Sequence, residues 1–212
     1  MAVEFADDPH VCIRHLVSSE EYTGVYGAHP TCHALVIDLG GFEVRAGFSS
    51  EAQPRLRHRN LVGIPKTKRD GAFVIVGDPV LETEYGRFKT RSPFDHNVLY
   101  QFELAEHSLD YIFRSVGVCG DHVPHPILLT ETVCNPNYSR AQLSELIFEN
   151  YGAPSVCYGV DALFAYHYNV QPSRNAAAAL VVSSGWAATH GNGFDYSNTV
   201  FVLFTPPGGC FF

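Results

Sequence analysis

Hydrophobic and polar positions along the chain follow first a strand period and then a helical one. Residues 34–41 form an apolar run closing on two glycines, Ala34-Leu-Val-Ile-Asp-Leu-Gly-Gly41, and Phe42-Glu-Val-Arg-Ala-Gly-Phe48 then alternates with period two. Two strands joined by a tight turn are predicted. Residues 54–62 alternate more weakly and predict a third strand. Residues 63–93, rich in Pro, Gly, Lys and Arg, predict an irregular excursion with a short strand at 72–76. From Asn97 the spacing turns helical: Val98, Phe102, Leu104, Leu109, Ile112, Phe113 and Val116 share a face, and Gly117 stands where a C-cap is expected. The run at 125–130 suits a buried parallel strand, and Ser139 is expected to cap a helix reaching Phe148. Leu143, Leu146 and Ile147 should face inward there, and Arg140, Glu145 and Glu149 outward. A short strand at 154–159, a helix from Asp161 with Leu163, Phe164 and Tyr168 on its apolar side, and a buried strand at 177–183 follow. Residues 1–33, polar and without sustained period, read as a loosely ordered extension.

Strands in hairpins followed by strands and helices in alternation give a mixed α/β sheet with crossover helices. That order is the ribonuclease-H-like unit, which serves nucleases, sugar kinases and chaperone ATPases alike, so it does not name an activity. The chain has 212 residues, 46% apolar and 17% charged, with net charge −8. A chain of this size supports a core without disulfide or metal staples. Its longest uncharged apolar runs, 176–182 and 200–204, are far short of the ~20 residues that span a bilayer. The acidic start lacks the positive region and apolar run of a signal peptide, so an intracellular chain without membrane association is expected. The negative balance disfavours broad binding to a phosphate backbone, with a local basic cluster at 55–69 as the exception. Six cysteines without a CxxC pair read as free thiols. Cys119-x-x-His122-x-x-His125 has ligand-like spacing but no second ligand pair, and no metal site is expected.

Two turns carry candidate chemistry. In Asp38-Leu-Gly-Gly-Phe-Glu-Val-Arg45 the glycines let backbone amides approach an anion while Arg45 returns on the next strand, the make-up of a phosphate-cradling hairpin. Leu180-Val-Val-Ser-Ser-Gly-Trp186 is a strand ending in small polar residues, and at an adjacent strand end it would clamp a nucleotide's phosphates from the other side. The plain alternative is that both turns only end strands. A nuclease would instead need carboxylates at neighbouring strand ends, holding metals about 3.5–4 Å apart. Asp38 and Glu131 fit that requirement, and a third acid has no clear source, since Glu106 and Asp110 fall on a helix.

These residues resemble the actin family. Residues 34–48 resemble the first phosphate loop of actins, and Pro126-Ile-Leu-Leu-Thr-Glu-Thr-Val-Cys-Asn-Pro136 resembles the actin strand that ends in Leu-Leu-Thr-Glu and continues to Asn-Pro. The stretches 91–97, 133–140, 144–152 and 158–164 resemble the chromatin-remodelling branch of that family, and the match covers about residues 34–190. The resemblance implies an actin-like, ribonuclease-H-like mixed sheet with crossover helices, the first half of the actin fold only. It implies a non-catalytic scaffold subunit of the Ino-eighty chromatin-remodelling complex, nuclear, with the cytoplasm as a second location. Such a subunit meets the motor ATPase and other subunits, reaches the nucleosome through the complex, and serves transcription regulation and DNA repair.

Residue by residue, the resemblance implies a degenerate nucleotide site at Asp38, Gly40, Gly41, Arg45, Asp161, Ser184 and Gly185. Leu39 stands where actin has Asn, Gly41 where it has the loop Ser, Phe42 where it has Gly, and Arg45 where it has the phosphate-contacting Lys. Asp161 corresponds to the Gln that positions the attacking water, and Ser183 and Trp186 replace two aspartates, while Ser184, Gly185, Thr189 and His190 keep the second loop's pattern. No catalytic residue and no resident cofactor are expected, with residual ATP binding as the alternative and a ribonuclease-H-like nuclease as a further one. The segment between Lys66 and Val76 is shorter than actin's contact loop, so no filament formation is expected. The implied organisation is an extension at 1–33, an actin-like domain at 34–190 with its excursion at 63–93, and a non-homologous tail at 191–212. That tail implies a truncated form, and Val200-Phe-Val-Leu-Phe204, chargeless and β-prone, would favour aggregation if exposed.

Overall fold

The strand β1 (Leu35–Leu39) pairs antiparallel with β2 (Glu43–Phe48), Leu35 opposite Phe48 and Asp38 opposite Arg45. Because side chains alternate across a strand, Leu35, Ile37 and Leu39 enter one face while Val36 and Asp38 stand on the other. The third strand, β3 (Leu56–Arg59), extends the hairpin and sets His58 opposite Val44. On its far side β1 pairs in parallel with β9 (Ile127–Glu131), and β9 with β10 (Val156–Val160). The five-stranded order is β10-β9-β1-β2-β3, the mixed sheet that the alternation predicts. The computed structural model describes residues 33–66, 74–82, 88–118, 122–169, 178–185, 189–195 and 201–205. The expected extension up to residue 32, Cys119, Trp186 and the last residues of the tail lie outside them.

Helices cover one face of the sheet. Helix α2 (Phe102–Val116) buries Leu104, Leu109, Ile112, Phe113 and Val116 against Leu35, Ile37, Val44, Ile127 and Leu129. It stops at Gly117, whose φ of 90° is the left-handed conformation glycine adopts without cost. Helix α3 (Asn137–Glu145) runs into a π-helical turn, Leu146–Asn150, and adds Leu143 and Ile147 to the same core. The opposite face, with Val36, Asp38, Leu128 and Thr130, is only half-covered.

Several expectations are corrected. The helix begins at Phe102 rather than Asn97, because β7 (Phe94–Asp95) and β8 (Val98–Leu99) form a hairpin whose turn holds His96 at φ 54°. Ser139 is no cap: it is buried in the first turn of α3 and its hydroxyl donates to the Leu99 carbonyl at 3.0 Å, while Pro136 takes the cap position. The described part of the excursion forms a second sheet, β5-β4-β6, from β4 (Val62–Pro65), β5 (Ile75–Val76) and β6 (Phe88–Arg91). The short helix α1 (Pro79–Glu82) closes it by packing Val80 on Gly63, where a Cβ would lie 3.3 Å from the valine methyl. In α4 (Asp161–Asn169) Ala162 is the buried position, and Tyr168 is 90% exposed instead of apolar-facing. The last predicted strand is not buried in the main sheet. It is β11 (Ala178–Ser184), which pairs antiparallel with β12 (Thr189–Asp195), and β12 with β13 (Phe201–Thr205), leaving Leu180 and Val182 70% and 57% exposed.

A buried amide joins these parts. Asn60, just after β3 and inaccessible to solvent, donates Nδ2 to the Gly40 carbonyl at 2.8 Å and accepts from the Ser108 hydroxyl of α2 at 3.3 Å, while its backbone N–H donates to the Phe42 carbonyl at 2.9 Å. Asn60→Ala should therefore lower unfolding free energy by about 1–3 kcal/mol, because the Gly40 carbonyl and Ser108 lose their partner together. Leu109→Ala should cost about 2–5 kcal/mol through the cavity it leaves in the core. Tyr168→Ala, a change at an exposed position, should stay within about 0.5 kcal/mol. Urea titration followed by circular dichroism checks all three.

Candidate phosphate-binding site

The three parallel strands β1, β9 and β10 end on one edge of the sheet at Leu39, Glu131 and Val160. Open α/β sheets bind ligands outside such carboxyl ends. The first turn is shaped by its glycines: a Cβ on Gly40 would come within 2.7 Å of the Glu43 carbonyl oxygen, and one on Gly41 within 3.2 Å of the His96 carbonyl oxygen. The β7–β8 tip thus lies directly against the turn. Phe42 keeps its ring beneath the Arg59 guanidinium, 3.9 Å from the carbon to the ring centroid.

Charges around this turn are paired with each other. Asp38 accepts from the Thr130 hydroxyl at 2.6 Å and lies 3.6 Å from an Arg45 nitrogen. Arg45 in turn donates to Glu43 at 2.8 Å, and Glu43 accepts from Arg57 at 2.7 Å through its other oxygen. The Arg57 hydrogen bond holds the Glu43 carboxyl below its usual range, burial opposes that shift, and the Arg45 bond adds to it. Because Arg45 and Arg57 face each other across β2 and β3, Glu43 also relieves the repulsion between two like charges.

Asp161 opens α4 directly after β10, where one oxygen accepts from the Ala162 backbone N–H at 2.7 Å and the other from the Ser183 hydroxyl at 3.4 Å. Ser183 stands opposite His190 in the β11–β12 register. His190 places Nε2 3.4 Å from the Asn97 amide nitrogen, which donates to the Thr132 hydroxyl at 3.1 Å. Strand alternation puts Ser184 on the opposite, exposed face from Ser183, and exposed Gly185 follows it. The structure therefore gathers Asp38, Gly40, Gly41 and Arg45 in one group and Asp161 with Ser183 in another. Ser184 is turned away from Asp161. Thr130, Asn97, Thr132 and Asn60 were missed in the sequence. Only their positions at strand ends and turns hinted at them, and their partners lie 20 to 93 residues away.

The nuclease arrangement is contradicted. Alternation along β9 sends Glu131 to the helix-covered face, away from Asp38 and Thr130, and there Arg140 of α3 takes both of its oxygens at 2.6 and 3.0 Å. Asp110 accepts from the Tyr151 hydroxyl, and Glu106 from Asn150. Among the described residues no group of three or more His, Cys, Asp and Glu is placed to hold a metal ion. His122 lies against Gly152, and His125 is buried with Nδ1 3.1 Å from the His33 carbonyl oxygen.

The family model described as Actin matches residues 29–192. The chain is similar to the actin-related protein 5 of Arabidopsis thaliana, 43% identical over 170 residues that cover 78% of this chain and 24% of that protein. It is likewise similar to that of Homo sapiens, 43% identical over 178 residues covering 78% of this chain and 29% of the relative. Against actin-related protein 5 of Saccharomyces cerevisiae the identity is 37% over 158 residues, with 74% and 21% covered. The chain spans about a quarter of the length of these relatives. With a family match over most of its length and the five-stranded order built on a glycine-turn hairpin, this chain belongs to the actin family.

Proposed function

We propose that this chain acts as a non-catalytic actin-related scaffold, a nuclear subunit of the Ino-eighty chromatin-remodelling complex. In that role it meets the motor ATPase and other subunits, contacts the nucleosome through the complex, and supports transcription regulation and DNA repair. The similarity to proteins named actin-related protein 5 supports the branch. The observation that carries the non-catalytic part is the pairing of Arg45. The cation standing at the phosphate-contacting position of the family is held between Asp38 and Glu43.

A triphosphate entering here would have to break those pairs and approach two carboxylates. Each unit charge at 4 Å contributes on the order of 4 kcal/mol at the effective dielectric of a protein surface, so repulsion from Asp38 and Glu43 offsets what Arg45 offers. Phe42, stacked under Arg59, adds a ring where a phosphate loop presents bare backbone. Asp161 is an acid where the family orients water with a neutral amide, and its oxygens already accept from Ala162 and Ser183. A second reading, residual ATP binding, is favoured by the convergence of Asp38, the Gly40–Gly41 turn and Arg45 at one sheet edge.

Affinity purification of the tagged full chain from nuclear extract, followed by mass spectrometry, tests the scaffold reading. The remodelling motor and its companion subunits should co-purify in near-stoichiometric amounts. Recovery of chaperones and proteasome alone would overturn it.

A further inference from the structure

His58 lies where the main sheet, α2 and the small sheet meet, and only 4% of it is exposed. Its Nδ1 is 2.7 Å from the Arg59 carbonyl oxygen, which can only accept, so the neutral ring carries its proton on Nδ1. Nε2 is buried with no hydrogen-bond partner among the described residues. The ring meets Tyr111 of α2 edge to face, centroids 4.9 Å apart at 86°. On another side it touches Gly77, where φ is +85° and an added Cβ would lie 3.2 Å from Nδ1 and 3.4 Å from Cγ. Gly77 donates its N–H to the Leu61 carbonyl at 2.9 Å and accepts from the Val80 N–H at 3.1 Å, so the imidazole seats the turn that joins β5 to α1.

We propose that His58 is a proton-sensitive latch between the main and small sheets: protonation of Nε2 releases the segment 75–82 from β3 and α2. The added N–H would be buried against Tyr111 with no acceptor in place, whereas the released ring gives it to water. Among the described residues the charged and titratable groups around it are few. Asp78 of the Gly77 turn and Glu43 of β2 favour the imidazolium, and Tyr111 faces it from α2. Arg57 and Arg59 alternate to the other face of β3, where they engage Glu43 and Phe42. Burial outweighs the hydrogen bond to the Arg59 carbonyl and the two carboxylates, which all favour the imidazolium, and holds the His58 pKa below its ordinary value. The sign follows. A folded-state pKa below the unfolded one adds stability above about pH 6.5 that is lost as the pH falls further.

Hydrogen exchange by mass spectrometry on the full chain, between pH 7.5 and 5.5 and corrected for intrinsic exchange, tests this. The opening constant of the segment 75–82 should rise by up to about tenfold per pH unit below about 6.5, while β9 stays unchanged. His58→Phe keeps a ring against Tyr111 but removes the titrating nitrogen, and its exchange pattern should lose the pH dependence. Should that variant not fold, the wild-type contrast between 75–82 and β9 decides alone, together with an NMR titration of the His58 ring. Uniform or absent acid sensitivity, sensitivity retained in His58→Phe, or a His58 midpoint near 6.5 would each overturn the latch.

Discussion

The side chain of Asn60 sets the constraint on which the functional end of this fold rests. The β1–β2 turn is closed by glycines and would be free to open towards solvent, yet its Gly40 carbonyl is held by an amide that solvent does not reach. The same amide accepts from Ser108 on α2, so the hairpin turn, the end of β3 and the helix over the core share one polar anchor. Such a group is costly to bury and costly to lose, so its loss affects the three elements together. With the turn fixed, Asp38 and Arg45 must face each other across β1 and β2, and the charge pattern of the site follows from that register.

Glu43 completes that pattern by binding Arg45 through one oxygen and Arg57 through the other. A turn built this way keeps its shape with its own residues as partners. The turn needs no anion to neutralise a cluster of cations, because Asp38 and Glu43 already pair Arg45 and Arg57. Arg59 stacked on Phe42 contributes in the same direction, at about 0.5–2 kcal/mol for a cation over an aromatic face.

The long periodic segments were legible in the sequence. The β1–β2 hairpin, the buried face of α2 with its Gly117 cap and the parallel strand β9 all follow from spacing. What escaped reading depends on contacts distant in the chain. Val98 matches the helical stripe but belongs to a hairpin with Phe94–Asp95, and Ser139 has capping chemistry but finds a buried acceptor at Leu99. The strands of the small sheet, two to four residues each and interrupted by Gly, Pro and Lys, are too short to show a period. In the site, Asp38 and Arg45 were legible as a charged pair flanking a glycine turn. In the second loop the resemblance points to Ser184 and Gly185, whereas the hydroxyl that meets Asp161 is that of Ser183, because strand phase and not composition decides which serine shares its face. The π-helical turn at Leu146–Asn150 likewise has no signature in the residues that form it.

The cation at the first loop, Arg45, is paired with Asp38 and Glu43, and the proposed scaffold role requires that it offer little to a nucleotide. Isothermal titration calorimetry of the full chain with Mg-ATP measures this most directly. No saturable heat is expected at nucleotide concentrations up to about 1 mM, a free energy weaker than about −4 kcal/mol. Saturable binding with a micromolar Kd would contradict it, since Arg45 would then be available to phosphate despite its two carboxylate partners.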